Sequence, residues 1–172
     1  MTAKELLQAQ WARIYPMLEL EIADLTLEEL KHTFPGSTIG SILGTYVHTI
    51  LGEDFLIMVM AAGGAHLWND EWSARTGLTI AGASPDPAQV AAMTAGQWAA
   101  FREFAAAVQA AAQAWLAAAS DADLAREVDV FFMKRTMSVA EMLGTVAFFH
   151  TLEHAAEISA LRGVMGKSGM RG

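Results

Sequence analysis

The chain has 172 residues, of which 53% are hydrophobic and 17% charged, and its net charge is −8. This length and composition predict a single domain over residues 1–172 with a substantial core, and they argue against disorder. The acidic balance disfavours a nucleic-acid partner, and the absence of cysteine excludes disulfides, zinc–thiolate sites and a catalytic thiol of the protein's own.

Two long helices are predicted in the first third of the chain. Apolar spacing predicts helix one over Lys4–Ala23, although Pro16 implies either a kink or a later start. A capping-box pattern predicts a short helical turn over Thr26–Leu30. Ser37 then follows a Pro-Gly turn, and it is placed to cap helix two, which we predict over Thr38–Ala62.

The second half of the chain supplies two more helices. Residues 63–87 are predicted to form a long ordered loop, and helix three spans Ala88–Ala119. An extended piece over Glu127–Arg135 leads to a second capping box, Ser138–Glu141, which opens a helix four that ends near Met165. No segment alternates strongly enough to predict a sheet. The predicted fold is therefore all-α, a four-helix bundle with a long loop between helices two and three.

Neither the N-terminus nor the longest apolar stretch has the features of a targeting or membrane-spanning segment. The N-terminus has no uninterrupted apolar run and so does not resemble a signal peptide. The longest apolar stretch, Ile39–Ala62, carries His48, Glu53 and Asp54 at its centre, and such charges are costly in hydrocarbon. We therefore expect a buried helix, no membrane partner and a cytoplasmic protein.

His150 and His154 lie one turn apart on helix four and point along its apolar face. By the helical repeat His154 lies about 40° from His150, and Glu157 lies about 20° away on the other side. Helix two contributes His48 on a face with small residues such as Gly52, which leave room for open coordination positions. Three neutral imidazoles suit zinc, nickel or iron. The alternative is three core histidines bonded to backbone carbonyls or to Glu157, and spacing leaves both open.

Two familiar metal motifs fit the chain poorly. His150–His154 matches the H-x-x-E-H metallopeptidase pattern, but that site needs a further acidic ligand well downstream, and only 18 residues follow. A di-iron centre needs Glu-x-x-His pairs, and the residues three before the histidines are Thr45, Ala147 and Thr151. Neither a peptidase nor a di-iron protein is expected.

Other polar and aromatic residues are further candidates for the site. Glu157 is the first candidate for proton transfer, with the equal alternative that it orients a ligating imidazole. Glu153 points away from the pair and is expected to be a solvated surface charge. His32 and His66 lie near turns and are assigned to the surface. The tryptophans of the 63–87 loop are the better candidates for substrate contact, since loops over a rigid scaffold carry specificity.

Three stretches carry a resemblance to the DinB/YfiT-like family of metal-binding four-helix bundles. They are Leu25–Leu30 before the Pro-Gly turn, Ser37–His48 leading to Gly52–Asp54, and Ser138–Glu141 leading to His150-x-x-x-His154-x-x-Glu157-Ile158. The match in order and spacing covers essentially the whole chain. In that family a histidine of helix two and a histidine pair of the last helix bind one divalent metal, often nickel or zinc. The resemblance therefore assigns the ligands to His48, His150 and His154. Members commonly have Gly-Gln-Ile after the second histidine of the pair, where this chain has Ala156-Glu157-Ile158.

The resemblance implies a metal-dependent enzyme, either a hydrolase or a thiol-dependent S-transferase, whose three-histidine site keeps open coordination positions. Its substrate would be a small molecule, and any thiol would be a low-molecular-weight cosubstrate because the chain has no cysteine. Glu157 is the predicted catalytic residue. Non-catalytic binding of a metal or small ligand is one alternative. A dimeric helical interaction protein is the other. We expect a homodimer because helix two is apolar almost all round, including Ile50, Leu51, Ile57 and Met58, and the resemblance implies the same since many members of the family dimerise.

Overall fold

The structure, a computed structural model, describes residues 1–81 and 84–169 and is mainly helical. Two π-helical segments, Asp54–Ala61 and Leu143–Ala147, continue the third and eighth helices. The helices are α1 (Ala3–Ile22), α2 (Leu27–Lys31), α3 (Ile42–Glu53), α4 (Asp70–Thr76), α5 (Pro87–Ala92), α6 (Ala95–Ala118), α7 (Asp121–Ala125), α8 (Val139–Met142) and α9 (Phe148–Val164), and the strands are β1 (Ile80–Ala81), β2 (Ser84–Pro85), β3 (Glu127–Val130) and β4 (Arg135–Ser138).

The long helices form the predicted four-helix bundle. Both α1 and α3 pack against α9 on one side and α6 on the other, and the two π-helical segments contact each other. Large buried side chains fill the interior, with Tyr46, Phe101 and Phe104 in one cluster and Trp11 and Met142 in another. The prediction of an all-α bundle with a long connection before the third long helix is confirmed.

Helix starts follow side-chain caps, and one predicted cap was misplaced. Thr26 and Glu29 form the predicted capping box, and α1 runs through Pro16 without ending. Ser41 caps α3, since its Oγ accepts the Gly44 N–H at 3.1 Å. Ser37, the predicted cap, accepts the N–H of Ile39 within the preceding loop, so helix two begins later than predicted.

The predicted helix three is two helices. Asp86 caps the short α5, which ends at Ala92, and Thr94 then caps the start of α6. The Thr94 hydroxyl accepts the Gln97 N–H, and the Gln97 side chain accepts the Thr94 N–H. This capping box starts a new helix inside an alanine-rich run whose composition alone predicts continuity.

The expectation of no sheet was wrong, although the strands are short. Strands β1 and β2 form one antiparallel pair, and β3 and β4 form another in which Val130 lies opposite Arg135. Strands of two to four residues are too short to show clear alternation. Ser138 ends β4 and caps α8, but Glu141 pairs with Arg135 and does not complete the predicted capping box.

Helix two lies mostly in the core of the protein. Ile42–Ala61 is long and apolar enough to cross a membrane, with a mean hydropathy of 1.4, but 72% of its most apolar window is buried. Ile50, Leu51 and Ile57, three of the residues that suggested a dimer, are buried within this chain, whereas Met58 is half-buried. Such burial is typical of a core helix, and the homodimer stays a prediction.

Glu53 fastens α3 to α9 at the level of the histidines. Its side chain is fully buried, and its Oε1 accepts a hydrogen bond from the Thr151 hydroxyl at 2.9 Å. Burial raises the pKa of Glu53 to about 8, although the bond from Thr151 acts in the opposite direction. Glu53 is therefore mainly a neutral carboxylic acid at pH 7, and it joins the two helices without a buried charge.

Glu53→Gln should remove a pH dependence of stability. The folded pKa of about 8 lies above the ordinary glutamate pKa of 4.5, so the stabilising contribution of Glu53 is complete below about pH 4.5 and is lost as the pH rises through 8. Measured with a chelator present, the free energy of unfolding of wild type should fall relative to Glu53→Gln by on the order of 4 kcal/mol across that range. Glu71→Gln, at an exposed carboxylate, is the control and should parallel wild type. Parallel profiles for all three proteins would contradict the assignment.

Candidate metal centre

The structure brings the three predicted histidines together between α3 and α9. One ring nitrogen from each of His48, His150 and His154 lies within 4.8 Å of the other two. The Nε2 atoms of His48 and His150 are 3.2 Å apart, and the three ring centroids are separated by 4.6 to 5.1 Å. All three side chains are half-buried. Facing imidazoles at these separations form a group that could hold one metal ion.

The nitrogen spacing matches that of ligands sharing an ion. Two nitrogens bound at about 2.1 Å lie roughly 3.0 to 3.4 Å apart for bond angles between about 90° and 109°. The separation between His48 and His150 falls within that interval. A set of three imidazoles leaves further coordination positions for water or substrate, as catalytic sites do.

Within the described part of the chain, His150 has hydrogen-bond contact through only one of its ring nitrogens, since Nε2 lies 3.2 Å from Nε2 of His48. Its Nδ1 is buried and has no hydrogen-bond partner among the described residues. Burial, together with the neighbouring rings of His154 and His48, lowers the pKa of His150 to about 3. The ring is therefore neutral at ordinary pH, and its unshared electron pair is available to a metal.

Gly52 makes room for the His150 ring. A Cβ built at Gly52 would lie 2.4 Å from Cε1 of His150, much closer than any real contact. Glycine inside a helix costs roughly 1 kcal/mol relative to alanine, so Gly52 lowers the intrinsic stability of α3. The glycine lets α3 and α9 approach closely enough for the two imidazoles to meet.

Glu157 contacts the His154 ring at Nδ1. Its Oε2 lies 2.6 Å from Nδ1 of His154, which leaves Nε2 as the nitrogen available on the other side of the ring. A carboxylate that accepts the second ring N–H of a ligating histidine fixes the tautomer and orientation of that ring. This contact is what the orienting alternative requires, and the base role of Glu157 stays a prediction. Glu153 is exposed, as expected.

A cavity of about 570 Å³ opens beside His48 and His150. Its walls come from α3, α9, both π-helical segments, the segment before α4, strand β1 and the turn between β3 and β4. Apolar and aromatic side chains predominate over polar ones. The lining residues are His48, Leu51, Gly52, Asp54, Phe55, Leu56, His66, Trp68, Ile80, Phe131, Phe132, Val146 and His150.

Asp54 fixes one wall of the cavity. Its buried carboxylate accepts the backbone N–H groups of Leu67 at 2.8 Å and Trp68 at 3.1 Å, and it lies 3.2 Å from Nδ1 of His66. Sequence analysis had assigned His66 only to the surface, where half of the ring does lie, and had given Asp54 no role in the site. A carboxylate in the middle of an apolar helix was the signal that could have identified this contact.

The remaining sequence-predicted residues separate into cavity and core. Trp68 lines the cavity, as expected for the 63–87 loop, whereas Trp72 packs against Phe104 with ring centroids 5.4 Å apart. His32 is exposed at its turn, where its ring meets that of Phe34 edge to face.

The sequence and the fold were compared with known proteins. A family model described as the DinB superfamily matches residues 10–158, and no curated protein matches the chain. A conserved protein of Enterococcus faecalis has a similar fold, with a TM-score of 0.75 and 20% identity over 97% of this chain and 99% of that one. YfiT of Bacillus subtilis, described as a probable metal-dependent hydrolase with an unusual four-helix bundle topology, gives a TM-score of 0.59 and 17% identity over 96% and 89% of the two chains.

Gly52→Ala should weaken metal binding without unfolding the protein. The added methyl group collides with the His150 ring and must turn it away from His48. We expect zinc or nickel affinity, measured by calorimetry on metal-free protein, to fall by about 10-fold or more, the scale set by misoriented ligands. Gly96→Ala is the matched control, because a Cβ there meets nothing within 4 Å. Unchanged affinity in a folded Gly52→Ala protein would contradict this geometry.

Proposed function

The chain belongs to the DinB superfamily, and on that premise we propose that it is a metal-dependent hydrolase whose ion is held by His48, His150 and His154. The observation that carries this proposal is the convergence of three imidazole nitrogens within 4.8 Å beside an apolar cavity. Hydrolysis needs an open coordination position and a place for the substrate. The three-histidine set and the adjoining cavity supply both.

The residues around the ion have separate tasks. When bound, a divalent ion supplies Lewis acidity to a water, a thiol or a substrate oxygen. His150 stays neutral because of its burial, and Glu157 holds the His154 ring through Nδ1. Three imidazole nitrogen ligands suit borderline ions, so zinc or nickel is proposed as the cofactor.

The cavity favours a hydrolase over a thiol-dependent transferase. Among the described residues that line it there is no lysine or arginine. Low-molecular-weight thiols that carry carboxylates would find no cationic side chain there, whereas water needs none. A transferase that uses a polar thiol cosubstrate is therefore the second candidate.

Metal content is the first test of the proposed function. Protein purified without a histidine tag should hold about one zinc or nickel ion per chain by elemental analysis, as a single three-imidazole site predicts. His150→Ala should lose the ion, and His32→Ala, which changes an exposed histidine, should keep it. Metal-free protein, even after incubation with both ions, would reject the proposal.

Glu157→Gln separates the two roles open to that residue. If Glu157 orients His154, metal affinity should fall by about 10-fold while turnover per bound ion on an ester substrate is largely kept. If Glu157 transfers protons, the ion should stay bound and kcat should fall by about 10²-fold or more. The hydrogen bond at 2.6 Å leads us to expect the first result. The second result would show that Glu157 transfers protons and does not mainly orient His154.

A further inference from the structure

We propose that the cavity beside the histidines binds an uncharged, largely apolar substrate, with its reacting polar group toward His48 and His150. The inference rests on the proposed function, because it names the substrate class of that same site. It is carried by the aromatic wall, the distribution of charge and the exposed phenylalanines at the mouth of the cavity. At about 570 Å³, the cavity lies within the usual range of roughly 300 to 1,000 Å³ for small-molecule sites.

One wall of the cavity is built from packed aromatic rings. Phe55 stacks on His66 with ring centroids 5.9 Å apart and an angle of 23° between the planes. The Phe131 ring meets Phe55 edge to face at 6.2 Å, and Phe132 adjoins Phe131 at 5.4 Å. Such a surface binds an apolar or aromatic body through dispersion and the hydrophobic effect.

The side chains of the lining disfavour an anionic group in the apolar part of the cavity. The described lining contains no lysine or arginine, so away from the proposed ion a substrate carboxylate or phosphate would lose its hydration without gaining a cationic partner. The one carboxylate in the lining, Asp54, is already engaged by two backbone N–H groups and by His66. A cationic substrate would therefore compete with these bonds for Asp54.

The mouth of the cavity leaves large apolar side chains in water. Phe131 is 62% exposed and Phe132 is 50% exposed, at the turn between β3 and β4. Phe149 is exposed to a similar degree, at 49%, but it is not part of the lining. A substrate in the cavity would cover the first two rings and leave Phe149 in water, so Phe149 provides a matched control.

Binding of an uncharged fluorescent probe tests the proposal directly. N-phenyl-1-naphthylamine would be titrated into the full metal-free chain, so that no ion can bind a carboxylate, and displaced by methyl 2-naphthyl ether or by 2-naphthoate, two naphthalenes that differ in charge. We expect saturable binding at about one site per chain, with the ether at least about 10-fold more effective than the carboxylate. Equal competition by the two naphthalenes, or no saturable binding, would overturn the proposal.

The two exposed phenylalanines give the site-specific control. Phe132→Ser should weaken probe binding by about fivefold or more, since one aromatic contact is lost, and Phe149→Ser should leave it unchanged. Equal loss in both variants would show a non-specific apolar surface and would reject the cavity as the binding site. Probe binding that disappears as the protein associates into dimers would show that a second copy of the chain covers the turn, and it would also reject the proposal.

The same titration separates failure of this inference from failure of the proposed function. The cavity walls do not depend on an ion, so probe binding does not require a bound metal. Probe binding, combined with a failure of wild type to take up zinc or nickel, would keep the apolar site and reject the hydrolase. Normal metal content with no probe binding would reject the substrate class alone.

Discussion

The convergence of three imidazoles between two helices is the constraint on which the rest of the site depends. Rings of His48, His150 and His154 meet at centroid distances near 5 Å, and Nδ1 of His150 is buried without a hydrogen-bond partner among the described residues. The close approach is possible because position 52 has no side chain, and the buried bond between Glu53 and Thr151 holds α3 and α9 together at this level. A divalent ion would satisfy all three nitrogens at once.

The segments that connect the long helices form the walls of the cavity as much as the helices themselves do. The π-helical segment after α3 carries Asp54, whose carboxylate holds the backbone of Leu67 and Trp68 against the bundle. π-Helical turns inside α-helices occur frequently at functional sites, because they change which side chains face inward. The turn between β3 and β4 adds Phe131, which is distant from Asp54 in the sequence. Rigid helices thus position the histidines, and shorter elements shape the space in front of them.

The sequence predicted the elements that have strong local signals. Histidines four apart on an apolar helical face indicated the cluster, and the Thr26 capping box was found at its place. The sequence did not predict the break at Thr94, because the alanine-rich residues around it indicate a continuous helix. It did not predict the β3–β4 pair either, because pairing depends on contacts between two separate segments of the chain. The role of Asp54 depends on where the 63–69 segment folds back, and helical periodicity carries no information about that.

X-ray absorption at the metal edge tests the central claim most directly. Zinc- or nickel-loaded protein should show about three imidazole nitrogens and at least one further light-atom ligand, since the site has three histidines and open positions. The imidazole contribution should decrease in His48→Ala, which removes the one ligand supplied by α3. An ion surrounded only by water oxygens, or one whose spectrum is the same in wild type and His48→Ala, would show that these histidines do not form a shared metal site.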